Sequence, residues 1–263
     1  MRATMKYFTK LLLRVKRWIV QLISLLIMNS LFLQQLKGIH FPAMNCYACP
    51  LSNFACPIGT LQHFVIIRQI PFFTLGMLGI IGAFFGRMSC SWLCPFGFLQ
   101  SILYKIKVPK LSLSNRFGWL RYVILIVLVI IIPFITLEPW FSKLCPVGTI
   151  QAGIPWLILQ PDLRELVGWL FGLKIFILIF FLIWSMVTSR PFCRFICPLG
   201  AIYSIFNKIS AFQFKIDKEV CKECGICNEV CPMKINVLEG SQQSQCIRCM
   251  ECVKACPYGA IKI

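Results

Sequence analysis

Four apolar runs alternate with short polar segments along this chain: Trp18 to Leu36, Phe64 to Phe85, Trp119 to Leu137 and Gly168 to Val187. Each approaches the roughly 20 residues that a helix needs to cross a hydrocarbon core, and Pro71 predicts a bend in the second. The polar segments differ in charge. Arg2, Lys6, Lys10, Arg14, Lys16 and Arg17 precede the first run; Arg87, Lys105, Lys107, Lys110, Arg116 and Arg121 follow the second; Arg190, Arg194 and Lys208 follow the fourth. Residues 37–62 hold Lys37 alone, and in 138–167 Lys143 and Arg164 are offset by Glu138, Asp162 and Glu165. Positive loops stay in the cytoplasm, so the pattern predicts four membrane helices with both termini cytoplasmic. Residues 98–107 and 198–209 read as amphipathic helices on the inner surface.

Composition supports the membrane reading, with 58% hydrophobic residues against roughly half in soluble domains. Lys and Arg outnumber acids 27 to 9, and no acid precedes Glu138. The bases flank apolar runs, which argues for membrane loops and lipid contact and against nucleic acid.

Candidate chemistry rests on the sixteen cysteines. Cys90-Ser-Trp-Leu-Cys94-Pro-Phe-Gly97 and Cys193-Arg-Phe-Ile-Cys197-Pro-Leu-Gly200 repeat one pattern, with half-copies at Cys56-Pro-Ile-Gly59, Cys145-Pro-Val-Gly148 and Cys256-Pro-Tyr-Gly259. Proline suits the first helical position, which leaves the preceding cysteine beside the positive end of the helix. That position favours a thiolate and an anionic cluster. Residues 15–107 and 119–210 thus read as two pseudo-repeats of one unit, each with an outer Cys-Pro-x-Gly, a span, and an inner Cys-x3-Cys-Pro-x-Gly.

The tail is more specific. Cys221-x2-Cys224-x2-Cys227-x3-Cys231-Pro and Cys246-x2-Cys249-x2-Cys252-x3-Cys256-Pro have the two-cluster ferredoxin spacing, in which the fourth cysteine of each run serves the other cluster. This assigns Cys221, Cys224, Cys227 and Cys256 to one [4Fe-4S] cluster and Cys246, Cys249, Cys252 and Cys231 to a second. Two complete runs, each closed by proline, argue against zinc. The fold class expected is therefore a membrane all-α domain, residues 1–210, followed by a small α+β ferredoxin domain, residues 211–263.

Topology sorts the other eight. Cys90, Cys94, Cys193 and Cys197 face the inner side, and Cys46, Cys49, Cys56 and Cys145 the outer side, which makes two further [4Fe-4S] sites and up to four in all. An outer compartment also permits disulfides for the second set. Trp92, beside the inner motif, is a candidate cluster contact. Arg68 and Lys174 occupy corresponding positions in the second and fourth spans and, with His63 and His40, are the candidates for a quinone site.

These motifs in combination, over residues 15–263, resemble membrane-bound polyferredoxin-type proteins related to NapH and the membrane half of NosR. The resemblance implies a cytoplasmic-membrane subunit passing electrons between quinone or a soluble donor and a partner redox enzyme. Cys46, Cys49, Cys56 and Cys145 go beyond the simplest members and favour a wire that crosses the membrane. The partners implied are other redox subunits and a soluble ferredoxin or flavoprotein donor. The chain shows no catalytic triad, nucleotide loop or flavin fingerprint, so no catalytic residue is assigned. Alternatives are a quinol-linked subunit of a reductase, and a metal-reducing or assembly factor for a respiratory metalloenzyme.

Overall fold

Residues 13–30, 36–111, 113–165 and 167–262 are described by the computed structural model. The described part is mostly helical, and two of its helices are long and apolar enough to cross a membrane, Asn115–Thr136 and Trp169–Val187. The other two expected spans take a different form. The first contains α1, Arg17–Met28, and its residues 31–35 lie outside the described residues, as do Arg2, Lys6 and Lys10. The second is broken into α2, Pro57–Ile66, and α3, Phe72–Phe85. Pro71 has no amide hydrogen and pushes the residue before it out of the helical region, and Arg68 turns the chain with a positive φ of 55°.

The other helices of eight or more residues are α4 (Pro95–Leu103), α5 (Asn115–Thr136), α6 (Pro146–Leu159), α7 (Trp169–Val187) and α8 (Pro198–Phe206) among the described residues. Both long helices carry helices from each pseudo-repeat. α5 packs against α2 and α8, while α7 packs against α4 and the start of α6. Helix α8 buries Pro198, Leu199, Gly200, Ala201, Tyr203 and Ser204, and α4 buries Pro95, Phe96, Gly97 and Gln100 between α1 and α7. The two segments expected on the membrane surface are therefore bundle helices. Their small and apolar residues sit on the face that meets the other repeat.

Helix α5 shows how a polar group joins two elements. It widens to π-helical spacing over Leu125–Ile131, where an N–H five residues on would bond each carbonyl. The position five after Leu128 is Pro133, which has no N–H to give. Buried Gln62 on α2 donates to Leu128 O at 3.1 Å instead, and its Oε1 accepts from Ser142 Oγ at 2.6 Å. Outward, Phe72, Ile80, Ile126, Phe134, Ile135, Trp169, Phe176 and Ile183 are exposed along α3, α5 and α7. An apolar belt of this extent exceeds what an ordinary soluble surface carries.

The tail forms a smaller unit. β1 (Lys215–Ile216) and β2 (Ile261–Lys262) pair antiparallel, and two short helices, α9 (Ile226–Glu229) and α10 (Glu251–Ala255), pack together. Its core gathers Phe214, Met233, Ile235, Val237, Ile247 and Ile261 around four cysteines. It docks through the loop 243–248: Asn207 Nδ2 donates to Gln243 O and Cys246 O, Arg248 donates to Phe85 O and Asn207 O, and Trp92 Nε1 donates to Arg248 O at 3.3 Å. Trp92 is thus a docking residue. Gly86, at φ +56°, is a point of close approach, because a Cβ there would stand 2.5 Å from Asn207 Oδ1 and 2.7 Å from Arg248 Nη1.

Replacing Gln62 by Leu strands both Leu128 O and Ser142. A loss of about 1–3 kcal/mol is expected, measured as a lower unfolding midpoint of the detergent-solubilised protein.

Candidate metal centres

Four of the five Cys-Pro pairs of the membrane part begin a helix in the same way, Cys49-Pro50 being the exception. Cys56, Cys94, Cys145 and Cys197 are extended N-caps with φ between −63° and −76° and ψ between 114° and 121°, and proline follows at the first helical position. In the inner pair the amide two residues into the helix turns back on the sulfur: Gly97 N donates to Cys94 Sγ and Gly200 N to Cys197 Sγ, both at 3.4 Å. The motif glycines are small because the facing arm is close. A Cβ on Gly97 would lie 3.2 Å from Cys90 O, one on Gly200 3.0 Å from Arg87 Nη2, and one on Gly59 2.5 Å from the Tyr47 ring.

The cysteines line four cavities. One is lined by Cys221, Cys224, Cys227 and Cys256, and one by Cys231, Cys246, Cys249 and Cys252. A third is lined by Cys90, Cys94, Cys193 and Cys197. The fourth is lined by Cys46, Cys56 and Cys145. Cys49 lies outside that lining, with its Sγ 3.8 Å from Asn29 Oδ1. All sixteen cysteines are free thiols. The sets expected on opposite sides of a hydrocarbon core share one buried core, which includes Cys56 and Cys145 as well as Cys90, Cys94 and Cys197. Met44 lines both membrane cavities.

Do these sites fit iron-sulfur clusters? Among the described residues no three His, Cys, Asp or Glu side chains converge on one point as a single ion requires. The cysteines instead surround cavities, which suits a multi-iron core held from its corners. A second sign of fit is charge. Arg87, Arg121, Arg190, Arg194 and Arg248 are all at most 1% exposed. The three ion pairs among the described residues, Arg17–Glu251, Lys143–Glu138 and Lys262–Asp217, include none of them. Each guanidinium also keeps one buried nitrogen without a hydrogen-bond partner, Nη2 in Arg190 and Nε in the others. Burial holds the Arg248 guanidinium down to about 10 and lowers Arg190 and Arg194, while nearby cysteines act in the opposite direction. A buried uncompensated cation is costly, and a [4Fe-4S] core with four thiolates carries about two negative charges.

The arginines are placed by the repeat. Arg87 stands three residues before Cys90, and Arg190 three before Cys193. Arg87 Nη2 donates to Cys193 O at 2.8 Å and Arg190 Nη1 to Cys90 O at 3.3 Å, so each arm is held by the other repeat's arginine. Glutamines act likewise six positions after three of the helix-starting cysteines, Gln62, Gln100 and Gln151, while the fourth such position holds Tyr203, whose buried hydroxyl has no hydrogen-bond partner. Gln100 Nε2 donates to Cys193 Sγ at 3.3 Å and its Oε1 accepts from Phe192 N, while Gln151 Oε1 accepts from Cys46 N at 2.8 Å. Read along the chain, Arg87, Arg121, Arg190 and Arg194 look like loop charges and the glutamines attract no notice; the fixed offsets of Arg87, Arg190 and the glutamines from the cysteines are the available signal, and Arg121 and Arg194 carry none.

The quinone candidates are elsewhere. Arg68 and His63 are exposed, Arg68 stacking over the Phe134 ring at 5.0 Å and His63 against Phe64. Lys174 is half-buried on α7, and His40 is buried beside Thr74. None of the four lines a cysteine cavity.

Comparison with known proteins agrees with the cysteine chemistry. Two family models, each described as a 4Fe-4S binding domain, match residues 242–262 and residues 53–72, 69–114 and 168–218. The chain is 31% identical to MJ0750 of Methanocaldococcus jannaschii over 242 residues, 87% of this chain and 94% of that protein. It is 26% identical to the putative electron transport protein YccM of Escherichia coli, covering 76% of this chain and 58% of that one. It is 25% identical to the ferredoxin-type protein NapH of Haemophilus influenzae, covering 86% and 79%. No solved structure matches.

Two expectations follow from the charges. Arg87→Leu removes a cation from the inner site, so the reduction potential there falls, on the order of 100 mV at an effective dielectric of about 20, while Arg87→Lys recovers most of it; potentiometric EPR titration reads both. In the cluster-free protein, burial pushes the Cys246 thiol from 9.0 up to about 12, with Cys249 adding to the effect. Stability from the neutral thiol is complete below pH 9.0 and declines as pH rises from there toward about 12. Urea midpoints across that window should fall, and Cys246→Ser should flatten the decline.

Proposed function

This chain belongs to the NapH/NosR-like family of ferredoxin-type [4Fe-4S] proteins, and from that premise we propose that it relays single electrons across a membrane along one row of four cysteine sites. Bound [4Fe-4S] clusters supply one-electron chemistry. The chain holds them in sequence: Cys221, Cys224, Cys227 and Cys256; then Cys231, Cys246, Cys249 and Cys252; then Cys90, Cys94, Cys193 and Cys197; then the outer site at Cys46, Cys56 and Cys145.

One observation carries this reading. Met44 lies in the walls of both membrane cavities, so the row is not interrupted by the roughly 30 Å of hydrocarbon that two sites on opposite faces would leave between them. The step from tail to membrane part is equally short in bonds. Arg87 reaches Ser244 O at 2.8 Å with one nitrogen and Cys193 O with another, and Ser244 precedes Cys246 by two residues. Cys-Pro helices that run into the bundle, rather than along its surface, bring the sites together.

Four crossings with both termini cytoplasmic place residues 211–263 inside the cell, where exposed Cys224 leaves the first site open to a soluble ferredoxin or flavoprotein. A redox partner in or beyond the membrane exchanges electrons at the far end, beside Tyr47, which is 46% exposed. The apolar belt on α3, α5 and α7 suits lipid, and α2 with α3 makes the second crossing in two pieces.

Iron and acid-labile sulfide per chain, measured on anaerobically purified protein, test the row. About sixteen irons are expected, four clusters of four, and Cys193→Ala should remove about four while leaving the tail signals. About eight or twelve in the unaltered protein breaks the row and ends the proposal.

A further inference from the structure

The outer cavity differs from the other three in its donors. Two of its cysteines, Cys56 and Cys145, correspond to each other in the two repeats. The inner motif adds a cysteine four residues before each Cys-Pro, but the corresponding outer positions hold Ser52 and Phe141. Cys46 is therefore the third sulfur, with no counterpart in the second repeat.

Cys49 is held away by the bonds around it. Its amide donates to Cys46 O and its carbonyl accepts from Ser52 N, both at 3.1 Å. Asn45 Nδ2 donates to Ser52 Oγ, which donates to Phe54 O at 2.8 Å. Asn53 fastens the end of this turn to α1, with its N bonded to Met28 O and its Nδ2 to Ile27 O. The Cys49 thiol follows the turn toward Asn29.

The remaining polar lining carries oxygen: Asn45, Tyr47 and Ser142. Asn45 is 1% exposed, and its Oδ1 is buried without a hydrogen-bond partner. An unpaired buried carbonyl oxygen costs free energy unless something meets it.

We propose that the outer site is a three-cysteine site in which Cys46, Cys56 and Cys145 each hold one iron of the cluster, Cys49 holds none, and the fourth iron takes an oxygen donor, with Asn45 as the candidate on this chain. This rests on the reading that the outer cavity holds a [4Fe-4S] cluster. An iron without a thiolate is exchangeable and open to small ligands, which distinguishes this end of the row from the other three sites.

The test uses the full chain, purified without oxygen. Mild ferricyanide should release the fourth iron as ferrous ion while one electron passes to ferricyanide, leaving three ferric irons and a three-iron EPR signal. Cys49→Ala should keep about sixteen irons and this signal. Cys145→Ala should lose about four irons and the signal, with the tail spectrum intact as the folding control. Asn45→Cys, which supplies a fourth thiol, should resist ferricyanide. Loss of about four irons in Cys49→Ala overturns the three-cysteine site and leaves the four-site row standing. About twelve irons in the unaltered protein, with Cys145→Ala removing none, instead defeats the underlying reading of an outer cluster and this inference with it.

Discussion

Five guanidinium groups buried without a carboxylate set the terms for the rest of this structure. Arg87, Arg121, Arg190, Arg194 and Arg248 lie inside the protein with carbonyl, amide and hydroxyl oxygens as their hydrogen-bond partners. Such oxygens satisfy hydrogen bonds but do not neutralise charge, and buried charge is tolerated where an opposite charge meets it. Thiolate-bound clusters are anions. Clusters in the cysteine cavities would supply the negative charge these cations lack, and would then couple folding of the interior to cluster assembly.

The same residues join the halves. Because each inner arm is bonded by an arginine from the opposite repeat, and the glutamines six residues after the Cys-Pro cysteines reach across in the same sense, neither repeat completes a membrane site alone. A cluster ligated by Cys90 and Cys94 from one repeat and by Cys193 and Cys197 from the other would add covalent bonds to that clasp. The tail continues the scheme. Arg87 and Arg121 both donate to Ser244 O, and Arg248 inserts back against Phe85 and Asn207, so Arg87, which lines the inner cavity, also seats the tail.

Much of the cysteine chemistry was legible along the chain, because ferredoxin ligands sit on short local loops whose spacing is set by one turn of backbone. The two tail sets, with Cys231 and Cys256 exchanged between runs, line the cavities that this spacing describes. Pro at the first helical position is equally local, and the four Cys-Pro helices begin where it stands. The apolar runs were legible as composition, although Pro71 divides one of them into two helices.

Tertiary structure decided what depends on contacts between distant segments. A lysine or arginine beside an apolar run reads as a loop charge whether it meets water or a cluster site, and burial of Arg87 or Arg190 appears once the two repeats face each other. Cys49 has a metal-ligand spacing from Cys46, yet the hydrogen bonds of Asn45, Ser52 and Asn53 turn it toward α1. The depth of a helix is likewise absent from its periodicity. The sequence alone determined which residues begin helices and which cysteines share a local loop, since those are matters of neighbouring backbone; packing of the Cys-Pro helices into one core decided that the inner and outer sites meet at Met44.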